Sequence, residues 1–225
     1  MSSQLEKLYD TLRSQYSLSQ ATYFIGKHRF RFLSVANSYE LLDSLSEDYI
    51  ANEIMPYWAE IWPASFVLAE YVLDDLRPAG KNCLELGAGV GVVSVAAAKA
   101  GACVLATDYV VEALPFIEYN ALANGTQLRT MRLDWNSFTL HERFDMIFAA
   151  DVLYERRNLL PILRAIDRLL KDDGKAVIAT PCREIAKNFL VLAQENQFNT
   201  LCFTKPLLLM GKTLQIDIYE LSRTK

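Results

Sequence analysis

The chain has 225 residues, of which 52% are hydrophobic, with 23 basic and 27 acidic side chains and a net charge of −4. That is too apolar for a disordered chain and enough to bury a large core, so one domain with a short extension is expected. The acidic balance does not favour a nucleic-acid partner, and no uninterrupted apolar run reaches the roughly 18 residues of a membrane helix.

The spacing of Leu5, Leu8, Tyr9 and Leu12 predicts a short amphipathic helix over residues 3–16. The segment ATYFIGKHRFRFLSV alternates apolar and basic residues around Gly26 and reads as a β-hairpin. Its basic row (Lys27, His28, Arg29 and Arg31) reads as a solvated strand face. EDYIANEIMPYWAEIW reads as a loop-like approach. Pro63 then opens a helix, because its missing N–H costs nothing at the first helical position. Trp62, Phe66, Ala69, Leu73 and Leu76 form that helix's stripe, and RPAG stops it.

From there strands and helices alternate. Strands are expected over 82–87, 103–108, 126–133, 144–150 and 175–180. Helices are expected over 92–100, from Glu112 to Ala123, and over 158–170 and 184–195. Pro115 is tolerable only in the first turn of its helix, where N–H groups lack intrahelical partners. Two late runs, 199–208 and 213–222, have no helix between them and read as an antiparallel pair at a sheet edge. The fold class is therefore α/β: a doubly wound, Rossmann-like, seven-stranded sheet with an antiparallel C-terminal hairpin. Residues 1–55 form an N-terminal extension of helix and hairpin, and residues 56–225 form the main domain.

The first strand of this series runs into LELGAGVG, with Gly87, Gly89 and Gly91 at alternate positions around Ala88. A strand, glycine turn and helix together aim backbone N–H groups at the strand's C-terminal edge. Dinucleotide folds use G-x-G-x-x-G there to seat a pyrophosphate. Here the third glycine comes one place early, and Glu85 puts a carboxylate in the strand. A fixed negative charge repels a diphosphate and suits a cation, such as the amino group and sulfonium of S-adenosylmethionine. Asp108 ends the second strand, where it can accept hydrogen bonds from both ribose hydroxyls. Asp134 ends the third, where it can accept from the adenine amino group with Trp135 beside the ring. A side chain at Gly89 is expected to fill the space of the methionine moiety.

LELGAGVG, ATD, LDW and AADVLY, in that order, resemble the class I S-adenosylmethionine-dependent methyltransferases over residues 55–222. PYWAEIWPAS before the glycine turn and DVLY after it narrow the resemblance. It is to the seven-β-strand protein-lysine methyltransferases with an Asp-x-x-Tyr motif, the group of the electron-transfer-flavoprotein β-subunit lysine methyltransferase. The resemblance implies that Trp62 lies against the cofactor. It places the cofactor, ribose and adenine acids on Glu85, Asp108 and Asp134, and the Asp-x-x-Tyr pair on Asp151 and Tyr154. Ala88, Tyr109 and Ala150 complete the candidate cofactor-binding set.

Asp151 and Tyr154 follow the fourth strand, which with the first flanks the switch point where ligands bind in such sheets. DVLY lacks the two prolines of the Asn/Asp-Pro-Pro-Tyr motif that holds planar amides and bases, and keeps an acid, which points to an amine acceptor. Asp151 orients the ammonium or acts as base; Tyr154 offers its ring face or its hydroxyl. Tyr57 and Trp58 line the acceptor entrance or simply pack. The expected activity is S-adenosylmethionine-dependent N-methylation of a lysine in a protein substrate. A small amine or N-heterocycle as acceptor, and a nucleotide-binding Rossmann module without methyl transfer, remain as rivals. Four scattered cysteines, each in or beside an apolar run, read as buried free thiols, and two distant histidines give no metal site. With no apolar signal core at its start, the protein is expected to be a cytoplasmic monomer.

Overall fold

The computed structural model describes residues 3–44 and 55–224. Helix α1 (Ser3–Gln15) turns Leu5 and Leu12 inward, and strands β1 (Leu18–Ile25) and β2 (His28–Val35) pair antiparallel across Gly26. Alternation along β2 buries Phe30 and Phe32 and leaves Arg29 and Arg31 exposed, so the basic row is a solvated face. Of the approach segment, residues 47–54 lie outside the described residues. Pro56–Ala59 form a single tight helical turn. Helix α2 (Pro63–Tyr71) starts at its proline as expected, loosens into a wide turn over Val72–Leu76, and ends at Arg77 in a left-handed conformation.

Strands β3 (Asn82–Leu86), β4 (Cys103–Asp108), β5 (Arg129–Arg132), β6 (Phe144–Ala150) and β7 (Leu170–Pro181) are parallel. Strands β8 (Phe198–Leu209) and β9 (Lys212–Arg223) complete one seven-stranded sheet, ordered β5-β4-β3-β6-β7-β9-β8. The expected late hairpin is present at the edge, but its second strand is the inner one: β9 runs antiparallel to both β7 and β8.

The sheet's two faces bury separate apolar clusters, and the two-residue period assigns side chains to each. Leu84, Leu86, Ile147, Ala149, Ile178 and Tyr219 pack under α5 (Arg156–Leu169) and α6 (Glu184–Glu195). Cys83, Phe148, Val177, Ala179 and Ile218 pack under α2 and α3 (Val92–Lys99). Glu85 shares the second face, which turns its carboxylate toward α3.

Three expectations are corrected. Strand β5 starts at Arg129 rather than Thr126, because Thr126 is spent on closing α4 (Ala113–Ala123). Its backbone N–H and its hydroxyl both donate to the Ala121 carbonyl, at 3.0 and 3.1 Å. Strand β7 begins at Leu170, directly after α5. The KDDG stretch expected to separate helix from strand bulges within it, and the register against β6 slips between Phe144 and Met146. Of the four thiols only Cys83 is buried. Cys103 opens β4, Cys182 follows β7 and Cys202 lies on the edge strand, so all three are exposed. Among the described residues no helix is long and apolar enough to cross a membrane.

The hairpin is fastened to the main sheet's helices by one fully buried amide. Asn120, on α4, accepts from Leu33 N at 2.7 Å and donates to Leu33 O at 3.0 Å and Val90 O at 2.8 Å. It thereby links β2, α4 and the end of the glycine turn. Removing the amide leaves buried backbone groups without partners, which is the expensive way to lose a hydrogen bond. Asn120→Ala is expected to destabilise the protein by about 2–4 kcal/mol, measured as a lower urea midpoint. A change under about 0.5 kcal/mol would mean the hairpin is held by its apolar contacts and by the Arg31–Asn124 hydrogen bonds, without need of Asn120.

Candidate active site

A cleft of about 400 Å³ opens at the C-terminal edge of β3, β4 and β6 and is roofed by the Pro56–Ala59 turn and the start of α2. Its floor is the glycine turn. Gly89 has φ +53°, and a Cβ there would stand 3.1 Å from the Trp58 carbonyl oxygen. Beside the expected reason for this glycine, room for a ligand, stands a second. The backbone must reverse against Trp58 while its own N–H donates to Asp108 at 2.8 Å. At Gly87, φ +69°, a Cβ would meet Val152 at 2.9 Å and the Trp135 ring at 3.4 Å.

Three carboxylates are buried at this edge, those of Glu85, Asp108 and Asp151. Glu85 accepts from the Ser94 backbone N–H at 2.7 Å and from the Ser94 hydroxyl, both in the first turn of α3. Burial pushes its pKa up to about 8; the Ser94 bonds oppose this and the nearby Asp108 charge adds to it. Asp108 accepts from Gly89 N and from Val110 N at 2.9 Å, and burial raises its pKa against those bonds. The remaining expected acid, Asp134, stands two residues past the end of β5. It is half-buried and closes a turn by accepting from Asn136 N at 2.8 Å. It lines the same cleft, beside Trp135.

The opposite wall is aromatic. The Trp62 indole N–H donates to the Tyr57 carbonyl at 2.9 Å. Tyr57 meets Trp62 and Tyr154 edge to face, with ring centroids 5.9 and 5.4 Å apart. Tyr57 is thus at the cleft mouth and 41% exposed, whereas Trp58 is buried against Phe116 and Tyr16. Tyr109 and Ala150 also line the cleft, as do Ala88 and Gly89. Gly91 instead caps α3, facing Ile117. Burial, Glu155, Tyr57 and Asp108 push the Tyr154 hydroxyl up to about 12, so it is un-ionised at neutral pH.

Asp151 is the strained residue. Its φ is +56°, a left-handed conformation that few side chains other than Asn and Asp adopt. The backbone is held there by Asp151 N donating to the Ala179 carbonyl at 2.8 Å. The side chain lines the cleft, is 4% exposed, and neither of its oxygens receives a hydrogen bond among the described residues. The Arg183 guanidinium stands 2.9 Å from Oδ1 but out of hydrogen-bonding alignment. Burial raises the Asp151 pKa and Arg183 lowers it.

A family model described as lysine methyltransferase matches residues 50–196. The chain belongs to this lysine methyltransferase family. Protein N-lysine methyltransferase METTL21A of Mus musculus is 34% identical over 151 residues, 62% of this chain and 68% of that protein. The electron transfer flavoprotein beta subunit lysine methyltransferase of Mus musculus is 36% identical over 104 residues, 44% of this chain and 40% of that one. The chain spans about half the length of several other curated relatives it matches. Among solved structures, a 16S rRNA methyltransferase of T. Thermophilus in complex with AdoMet and guanosine superposes with a TM-score of 0.64. Sequence identity there is 17%, over 92% of this chain and 51% of that one. At that identity it speaks for the fold alone, which is the methyltransferase sheet expected from the strand order.

Within this family member the cleft unites the expected acids Glu85, Asp108, Asp134 and Asp151 with Tyr154, Trp62 and Trp135. The sequence left out Ser94, whose first-turn position makes it the natural partner of a carboxylate at a strand end. It also left out Arg183, which lies in no motif.

The raised Glu85 pKa makes stability depend on pH. The folded state holds the Glu85 proton more tightly than the unfolded chain, whose pKa is near 4.5. The stabilisation is complete below about 4.5 and lost as pH rises through about 8. Asp108 adds to the same trend. Without ligand, the melting temperature is expected to fall between pH 5.5 and 8.5, and Glu85→Gln, which keeps an acceptor for Ser94, is expected to flatten that fall. Parallel profiles for the two proteins would show that Glu85 does not titrate in this window.

Proposed function

We propose that the protein is an S-adenosylmethionine-dependent N-methyltransferase whose acceptor is a lysine side chain of another protein. One observation carries the reading: Asp151, with a buried carboxylate that receives no hydrogen bond among the described residues, and Tyr154 line the same cleft as the acids around the glycine turn. Glu85 and Asp108 are held near each other in an apolar setting that resists their ionisation. A ligand with a cationic sulfonium and ammonium and with hydroxyls relieves both, whereas a diphosphate would add to the repulsion. The residues present therefore fit S-adenosylmethionine.

Asp108 takes the ribose hydroxyls on the lone pairs its two backbone donors leave free. Asp134 and Trp135 take the adenine, Trp62 covers the ligand from above, and the glycine turn supplies the floor. When bound, S-adenosylmethionine supplies an electrophilic methyl carbon. The chain's work is then alignment and removal of water, which account for most of the acceleration of an in-line displacement. Asp151 attracts and aligns the amine. The rings of Tyr154 and Tyr57 flank its alkyl stem and exclude water at the mouth. The METTL21A and electron-transfer-flavoprotein relatives, named for lysine methylation of proteins, support a protein acceptor. A cytoplasmic monomer is the setting proposed for it.

Calorimetric titration should give binding of S-adenosylmethionine and none of NAD; the reverse would overturn the reading. Radiolabelled methyl transfer into a cell lysate should label protein bands, with the label on lysine by mass spectrometry. Label confined to the small-molecule fraction would instead identify a small amine or heterocycle as acceptor. Asp108→Ala is expected to weaken S-adenosylmethionine by about 2–3 kcal/mol, since it loses bonds to a charged acceptor and the turn that frames them. Unchanged affinity in the folded variant would remove Asp108 from the ribose site.

Asp151→Asn divides binding from chemistry. It keeps the shape and removes the charge. Single-turnover transfer to the labelled protein is expected to fall by roughly 10²-fold, the scale of misplaced reacting groups, with cofactor affinity unchanged. Full turnover, or lost cofactor binding, would refute this division of roles.

A further inference from the structure

We propose that Arg183 is a positioning residue that keeps the Asp151 carboxylate ionised and presented to the acceptor amine. The inference deepens the proposed methyltransferase reading and rests on it. Arg183 precedes α6, and its backbone is fixed on both sides: its N–H donates to the Pro181 carbonyl at 2.6 Å and its carbonyl accepts from Ala186 N at 3.0 Å. Asp151 is fixed too, by its bond to Ala179 on the same strand, two residues before Pro181. The two side chains therefore meet at 2.9 Å from adjoining strand ends, with little freedom to separate.

Arg183 lies outside the lining of the cleft, whereas Asp151 is part of it. The guanidinium thus supports the carboxylate from the side away from the acceptor. Its misalignment leaves the lone pairs of both oxygens unused, and an incoming ammonium can take them. Among the described residues the other ionisable groups that line the cleft are Tyr154 and Glu155 on the Asp151 loop, Arg157 on α5, Tyr57 and Glu60 on the roof, Glu85 and Asp108 on β3 and β4, Tyr109 after β4 and Asp134 after β5. In this set Arg183 is the cation standing directly against Asp151. Arg183 opposes the rise that burial imposes on the Asp151 pKa and so favours the carboxylate, which holds the amine by charge; the ammonium gives its proton to bulk water before transfer.

The test is direct. Protein carrying ¹³C at aspartate carboxyls is titrated by NMR, with the Asp151 signal identified by its loss in Asp151→Asn. In Arg183→Gln the Asp151 midpoint is expected to rise by about one unit or more, the effect of removing a contacting opposite charge. Arg183→Lys should restore at least half of that rise. The acid limb of transfer to the lysate acceptor should move to higher pH by a similar amount, with affinity for S-adenosylmethionine unchanged. A midpoint that does not move in folded Arg183→Gln, or a lysine variant no better than glutamine, would overturn the proposal. Should Arg183→Gln fail to fold, Asp151→Asn/Arg183→Gln decides. Folding of the double variant supports an unpaired buried charge as the damage, and its failure assigns Arg183 to packing and overturns the proposal. If the wild type labels no acceptor, the methyltransferase reading fails, while the Asp151 midpoint still decides this one.

Discussion

Carboxylates set against a protein interior that resists charge are the constraint around which this molecule is arranged. Glu85 sits inside a strand and Asp108 at the end of its neighbour, and neither has a cation beside it among the described residues. What holds them is backbone: the first turn of α3 for Glu85, the glycine turn and the Asp108–Val110 corner for Asp108. The close passage of the chain past Trp58, with Gly89 in a left-handed conformation, follows from the need to aim one N–H at Asp108. The same constraint couples the roof to the floor. Trp58 comes from the segment that also presents Tyr57 and Trp62, so the aromatic wall and the glycine turn meet where Gly89 passes the Trp58 carbonyl.

The parts of the fold governed by local chemistry were legible in the sequence. Period-two alternation, the proline at the start of α2 and the spacing of the glycines each act within a few residues, and the corresponding elements stand where those signals place them. Errors fell where a residue had two uses. Thr126 looks like a strand residue but is consumed in capping a helix, and Asp134 looks like a strand end but closes a turn of its own. The cysteines misled because an apolar neighbourhood in sequence says nothing about position within a strand or at a sheet edge. Among site residues, those in motifs were recoverable, while Arg183 was not: its role depends on β7 lying next to β6, a non-local fact that no spacing records.

The acids of the glycine turn and the aromatic side chains lie on different sides of the cleft. Strand ends, acids and glycines form one side and belong to a sheet shared with enzymes acting on quite different acceptors, as the similarity to an rRNA methyltransferase shows. The other side is built from Tyr57, Trp62 and Tyr154, whose ring edges meet ring faces. Under the proposed function, discrimination among amines falls to this wall, because changing a ring there alters the opening without disturbing the buried acids.

The order β7-β9-β8 has a consequence for how the polypeptide is made. Strand β8 leaves the ribosome before β9, yet it has no partner in the sheet until β9 has slotted between it and β7. During synthesis the β7 edge, built from Ala176, Val177, Ile178 and Ala179, therefore stays open while roughly thirty further residues emerge, about two to six seconds at ordinary elongation rates. An unpaired apolar edge is a template for pairing with another nascent chain. Slow decoding in this stretch prolongs that exposure, so the speed of translation there bears on how much of the protein escapes aggregation, independently of the stability of the finished fold.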